Sequence, residues 1–164
     1  MLSKAMIIQE LNNAKIAHMR WVKRADHLIS GLPVDKEFIP LESTTCGFGK
    51  WLYGEVGQKL RLEEEFKSII EQIEFHHDNL HDVYGEIYKI FFVMPEQRSL
   101  LHKIMTFNSK KVSDKAKAKA KDYFHSLQKS STELIALLEK LEIRVKESDD
   151  INRMPKTTMM RRGA

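Results

Sequence analysis

Between residues 4 and 29 the inward-facing residues recur in alternating steps of four and three: Ile7, Leu11, Ala14, His18, Trp21, Ala25 and Leu28. That spacing holds one stripe of a helix against its neighbours and is the seam of packed antiparallel helices. It does not suit a strand, whose faces alternate at every residue. The segment "SGLP" follows, a glycine-then-proline stop, so a first helix is predicted over about 4–29. One position breaks the pattern. His18 stands where a leucine would pack.

The same period returns twice. From about Leu60 to Phe92 the stripe is Phe66, Ile70, Ile73, His77, Leu80 (with His81 beside it), Tyr84, Ile87 and Phe91. From about Ser113 to Lys146 it is Phe124, Leu127, Ser131, Leu134, Leu138, Leu141 and Val145. Between them "PEQRSLLHKIMTFNSKK" predicts a shorter helical piece around Leu100, Leu101, Ile104 and Phe107. Glycine and proline cluster mainly outside the long segments. The expected fold is therefore all-α: an antiparallel four-helix bundle over residues 1–147. Residues 148–164, charged and without periodicity, are expected to form a disordered basic tail.

Residues 31–45 read as a loop anchored by Leu32, Val34, Phe38, Ile39 and Leu41. Then "STTCGFGKWLYGEVG" reads as a short helix starting near Cys46, with Ser43, Thr44 or Thr45 available as its N-cap. Four glycines make it poor as an independent helix, so packing or a ligand must hold it, and they would let it unwind at small cost. Trp51, Leu52 and Val56 could supply the packing.

Composition enters by what it excludes. No apolar run approaches the roughly 20 residues needed to span a bilayer. The N-terminal residues lack the apolar core and cleavage site of a secretory signal. A single cysteine cannot form an internal disulfide, and the chain reads as cytoplasmic. The net charge of +4 comes largely from "SKKVSDKAKAKAKDY" and "RMPKTTMMRRGA". The Lys–Ala alternation spreads charge round a helix instead of forming the aromatic-interleaved stripe of a nucleic-acid binder. A small basic binder of nucleic acid or acidic partners stays the reading from a different class, and steep salt dependence would mark it.

The chemistry lies in the histidines and the thiol. His77 and His81 are four residues apart, which puts both imidazoles on one helical face, one turn apart. That spacing suits two nitrogens on one metal ion. His18 occupies the same kind of core position on another helix. Cys46 opens the short helix, where the dipole and free amides favour a thiolate. One cysteine and three histidines would complete a tetrahedral site, and ligand softness and number favour Zn²⁺ while leaving copper, nickel or cobalt open. Against this, each histidine alone could be a satisfied core residue and Cys46 a small hydrophobe. His76 competes with His77, but only His77 combines the four-residue spacing to His81 with the seam position.

"AHMRW" in the first helix, "CGFGKWLYG" after the loop and "HHDNLH" in the following helix together resemble the chemoreceptor zinc-binding (CZB) domain family. The resemblance covers about residues 18–81 and extends weakly through "LQKSSTELIALLEKLE". Carried over by position, it makes His18, Cys46, His77 and His81 the zinc ligands, with Phe48, Gly49, Trp51 and Leu52 matching the cysteine signature. Residues 91–113 are longer than the family pattern needs. The resemblance implies a four-helix bundle, often a homodimer, that regulates chemotaxis or diguanylate cyclase modules in bacteria in response to zinc or to oxidation of the cysteine. Neither the methyl-accepting coiled coil nor a Gly-Gly-Asp/Glu-Glu-Phe cyclase signature is present, so a stand-alone member acting through a signalling partner is expected.

Four protein ligands close a zinc site, and no glutamate is poised as a general base, so no catalytic residue and no enzyme activity are expected. Glu74 and Asp78 flank the pair and could support the ligands or simply be solvated. The alternatives to a sensor are a structural zinc that staples a helical dimerisation module and the basic binder above.

Overall fold

The computed structural model describes residues 3–34, 40–93, 112–149 and 151. Five α-helices and no strand occur among them: α1 (Lys4–Ile29), α2 (Gly47–Leu52), α3 (Glu55–Leu62), α4 (Glu64–Tyr88) and α5 (Asp114–Glu147). A 3-10 turn, Ser43–Thr45, precedes α2, and a π-helical turn, Lys89–Val93, extends α4.

Local signals explain the ends. The Ser3 hydroxyl accepts from the Met6 N–H at the start of α1, and the Ser113 hydroxyl does the same for Ala116 in α5. Each such cap is worth about 1 kcal/mol. Past α1 the chain turns at Gly31, whose φ of 81° suits a residue without a Cβ.

Polar cross-links set the topology. Lys4 Nζ donates to the Lys146 carbonyl and Lys15 pairs with Glu142 at 2.8 Å, so α5 runs antiparallel to α1. Ser148 bonds Glu65 and Asn79 bonds Ser130, so α5 also runs antiparallel to α4. α1 and α4 are therefore parallel. They face each other through side chains, His18 against His77 and Trp21 against His81 and Tyr84. The fourth side is closed by α2, which packs on α1, and α3, which packs on α4. The three long helices and the α2–α3 pair make an all-α bundle with its core between them.

The buried face of α1 is Ile7, Leu11, Ala14, His18, Trp21, Ala25 and Leu28, the predicted stripe without exception. On α4 the buried set is the predicted one with Ile69 added and Phe91, on the following turn, only partly buried. On α5 Ala120 and Ser130 join the predicted residues, and Phe124 is partly buried. Each fully buried leucine of this core contributes about 1.5–3 kcal/mol.

Two details differ from the sequence reading. The helix predicted from about Leu60 to Phe92 is divided at Glu63, whose φ of −84° and ψ of 122° are extended. The division follows from burial. At 100° per residue Leu60 and Phe66 would lie about 120° apart round one helix, and the break lets both turn fully inward. The tip of the last helix is also followed by packed residues, since Ser148 and Ile151 are buried. The predicted piece around Leu100, Leu101, Ile104 and Phe107, and residues 150 and 152–164 of the predicted tail, lie outside the described residues.

Candidate metal centre

At mid-height of the bundle the stripes of α1 and α4 carry imidazoles instead of aliphatic groups. His18, His77 and His81 are 3%, 0% and 2% exposed. Each offers a ring nitrogen, and the three lie within 4.8 Å of one another. The ring centroids of His77 and His81 are 4.7 Å apart, and those of His18 and His77 are 5.3 Å apart. Aromatic side chains wall the cluster: Phe48 meets the edges of His18 and His77, and Trp21 lies 4.3 Å from His81.

Backbone carbonyls orient two of the rings. His18 Nδ1 lies 2.7 Å from the Ala14 carbonyl and His81 Nδ1 lies 3.2 Å from that of Leu41. A carbonyl can only accept, so in both rings Nδ1 carries the proton and Nε2 keeps the lone pair. This is the arrangement in which a second contact orients a metal-binding imidazole. His81 Nε2 is buried with no protein partner, and an orphaned acceptor there costs free energy that a cation would offset.

Cys46 approaches from α2. It is the N-cap residue, and its Sγ accepts from the Gly49 N–H at 3.1 Å. The cap is thus the thiol itself and not Ser43, Thr44 or Thr45, which form the preceding turn. Sγ lies 3.3 Å from His77 Nε2. Ligands on a tetrahedral zinc with one thiolate and imidazoles stand about 3.5 Å apart, so the pair has nearly that separation. The mutually close nitrogens belong to the three histidines, and the thiol joins them through His77.

The electrostatics suit a cation. Burial lowers His18 to about 4, against a smaller upward pull from the Ala14 carbonyl. Burial lowers His77 to about 3, helped by the neighbouring histidines. Burial also lowers His81. All three are neutral near pH 7 and keep their lone pairs. For Cys46 the amide effect expected from the sequence is present but outweighed. Burial pushes the thiol up, and the Gly49 and Phe48 amides and Lys50 only partly oppose it. A helix of six residues is a weak dipole, and burial favours the neutral thiol; a bound cation would favour the thiolate there.

The glycines around Cys46 also have a use that spacing did not reveal. A Cβ on Gly49 would sit 1.8 Å from the Ser43 carbonyl oxygen, and one on Gly57 would sit 1.9 Å from that of Leu52. These two are needed for close backbone approach.

Residues 18–88 match the model of the chemoreceptor zinc-binding domain family. Over those residues the chain is similar to a chemoreceptor zinc-binding domain. The match begins at His18 and takes in Cys46, His77 and His81. No curated protein and no solved structure matches the chain. The cofactor of the zinc-binding domain is Zn²⁺, and the nitrogen cluster with its orphaned His81 Nε2 fits that ion.

The other sequence candidates fall away from the centre. His76 packs on Phe75 at 5.1 Å and is not among the clustered nitrogens. Glu74 pairs with Arg61 at 3.0 Å, and Asp78 accepts from the Tyr53 hydroxyl at 2.9 Å. Sequence reasoning missed the Ala14 and Leu41 carbonyls, which leave no mark in side-chain spacing. It also left the partner of Asp78 unassigned, although Tyr53 directly follows the signature that Cys46 begins. No helix among the described residues is long and apolar enough to cross a membrane.

Proposed function

We propose that this protein is a regulatory zinc protein of bacterial signalling, of the chemotaxis or cyclic-di-GMP kind, whose output changes when Cys46 is oxidised or zinc is lost. His18, Cys46, His77 and His81 would hold the ion. When bound, Zn²⁺ stabilises the Cys46 thiolate and cross-links α1, α2 and α4.

The observation that carries this reading is an asymmetry among the donors. The three histidines are almost wholly buried on long helices, whereas Cys46 is half-buried on a short one. It lines a cleft of about 420 Å³ together with His18, Trp21, Phe48 and His81. Small oxidants thus have a path to the sulfur while the nitrogens keep their places. An oxidised sulfur is a poor zinc ligand, so the Cys46 end of α2 loses its hold on α4 while the long helices persist. A partner that reads the position of α2 would then register the change. The exposed Ile16 and Met19 of α1 and Ile143 of α5 offer apolar surface to a second copy or to that partner.

Metal analysis of the purified protein beside Cys46→Ala and His77→Ala tests the site. One zinc per chain in the parent, lost or weakened in both variants, is the expected result; a zinc-free parent with unchanged melting sinks it. Mild oxidation then separates a sensor from a staple. A sensor releases zinc and alters partner binding, whereas a staple only melts at lower temperature.

A further inference from the structure

The two ends of α2 are held by consecutive residues of α4. At the N-cap, Cys46 Sγ lies 3.3 Å from His77 Nε2. At the C-cap, the Tyr53 hydroxyl donates to Asp78 Oδ1 at 2.9 Å. A helix of six residues is about 9 Å long, so the two contacts sit at opposite ends of a short rigid rod.

Tyr53 itself is well fixed. Its N–H donates to the Gly49 carbonyl at 2.9 Å, and its carbonyl accepts from Gln58 Nε2 at 3.0 Å. Gly57 brings α3 against the Leu52 backbone, so the turn after α2 is packed. Asp78 is fixed by the helix that carries His77. The bond to a carboxylate is of the stronger, charge-assisted kind.

We propose that the Tyr53–Asp78 hydrogen bond is a latch that positions Cys46, fixing the far end of α2 on α4 so that the thiol is presented to His77. The inference rests on the reading of Cys46 as a zinc ligand and adds a positioning pair to it. Tyr53 and Asp78 touch no metal. They decide where the fourth donor stands, and when the thiol lets go, the Tyr53 end becomes the pivot about which the Cys46 end swings.

Tyr53→Phe removes one oxygen and leaves the ring. Asp78→Ala removes the acceptor, and Asp78→Asn restores a carbonyl oxygen in its place. Zinc affinity is measured by chelator competition, and Co²⁺ substitution reads thiolate ligation from the sulfur-to-metal charge-transfer band. Circular dichroism checks that the helices are retained. The latch predicts about tenfold weaker zinc binding and a weakened thiolate band in Tyr53→Phe and Asp78→Ala, with Asp78→Asn close to the parent. Parent-like affinity and band in Tyr53→Phe, beside a parent band that disappears in Cys46→Ala, overturn the latch alone. A parent protein with no cysteine-dependent band overturns the four-ligand reading and the latch with it.

Discussion

Gly47 and Gly49 lie two residues apart in α2, and the structure predicts opposite outcomes when each becomes alanine. A Cβ at Gly47 meets nothing within 4 Å. A Cβ at Gly49 falls 1.8 Å from the Ser43 carbonyl oxygen and 2.9 Å from its carbon, where real contacts stay beyond 3.0 Å. Both obstructing atoms are backbone, so no rotamer change relieves them. The helix must shift by about 1 Å, at a cost of roughly 1–3 kcal/mol for overpacking, offset by up to about 1 kcal/mol of helix propensity. Zinc–ligand distances tolerate only about 0.2 Å, so the same shift moves Cys46 Sγ out of register with His77. Gly49→Ala is expected to bind zinc about 10- to 100-fold more weakly and to melt at a lower temperature. Gly47→Ala is expected to bind like the parent and to gain about 0.4–1 kcal/mol. Chelator competition and zinc-free urea melts on the two variants side by side make the assay. Equal behaviour of the pair would refute the reasoning, because glycines kept for flexibility alone would respond alike.

The metal-free protein should weaken in acid. Folded His18 and His77 titrate at about 4 and about 3, below the roughly 6.5 of an unfolded histidine. The folded state thus binds fewer protons, so this stability is complete above about 6.5 and is lost as pH falls towards the folded values. Between pH 7 and 5 the loss is about 2 kcal/mol per histidine; urea melts in chelator check it, and a flat profile contradicts it. In the core of α5, Leu134 is fully buried, so Leu134→Ala should cost about 2–5 kcal/mol in denaturant unfolding. A loss below 1 kcal/mol would mean that α5 is not packed as described.

The long helices were legible because one mechanism governs them. A stripe in steps of four and three has only one buried face, and the residues of α1 from Ile7 to Leu28 carry no competing signal. The same stripe exposed the three histidines, since a polar ring in a seam needs a partner. The division at Glu63 was hidden because Leu62, Glu63 and Glu64 are all compatible with helix, and tertiary packing decides against it. The interval from Leu60 to Phe66 was the available sign, being out of phase for one continuous face. At Cys46 the reading set the helix dipole beside a buried-thiol alternative and could not rank them, because the burial depends on residues brought there from α1 and α4. The thiol's role as its own helix cap was beyond pattern reading, because serine and threonine beside it are better caps in general.

The parallel placement of α1 and α4 has a consequence for the unfolded chain. His18 and His77 meet only after about 60 residues of polypeptide have been folded back between them. An ion gripping both rings closes that loop, and closing a loop of such length removes about 4 kcal/mol of chain entropy from any unfolded state that keeps the ion. All four proposed donors precede Asp82, whereas α5 begins at Asp114. A chain emerging from synthesis therefore holds the complete donor set before the helix that completes the bundle exists. Zinc taken up at that stage would tie the first half of the protein into the shape on which α5 later closes.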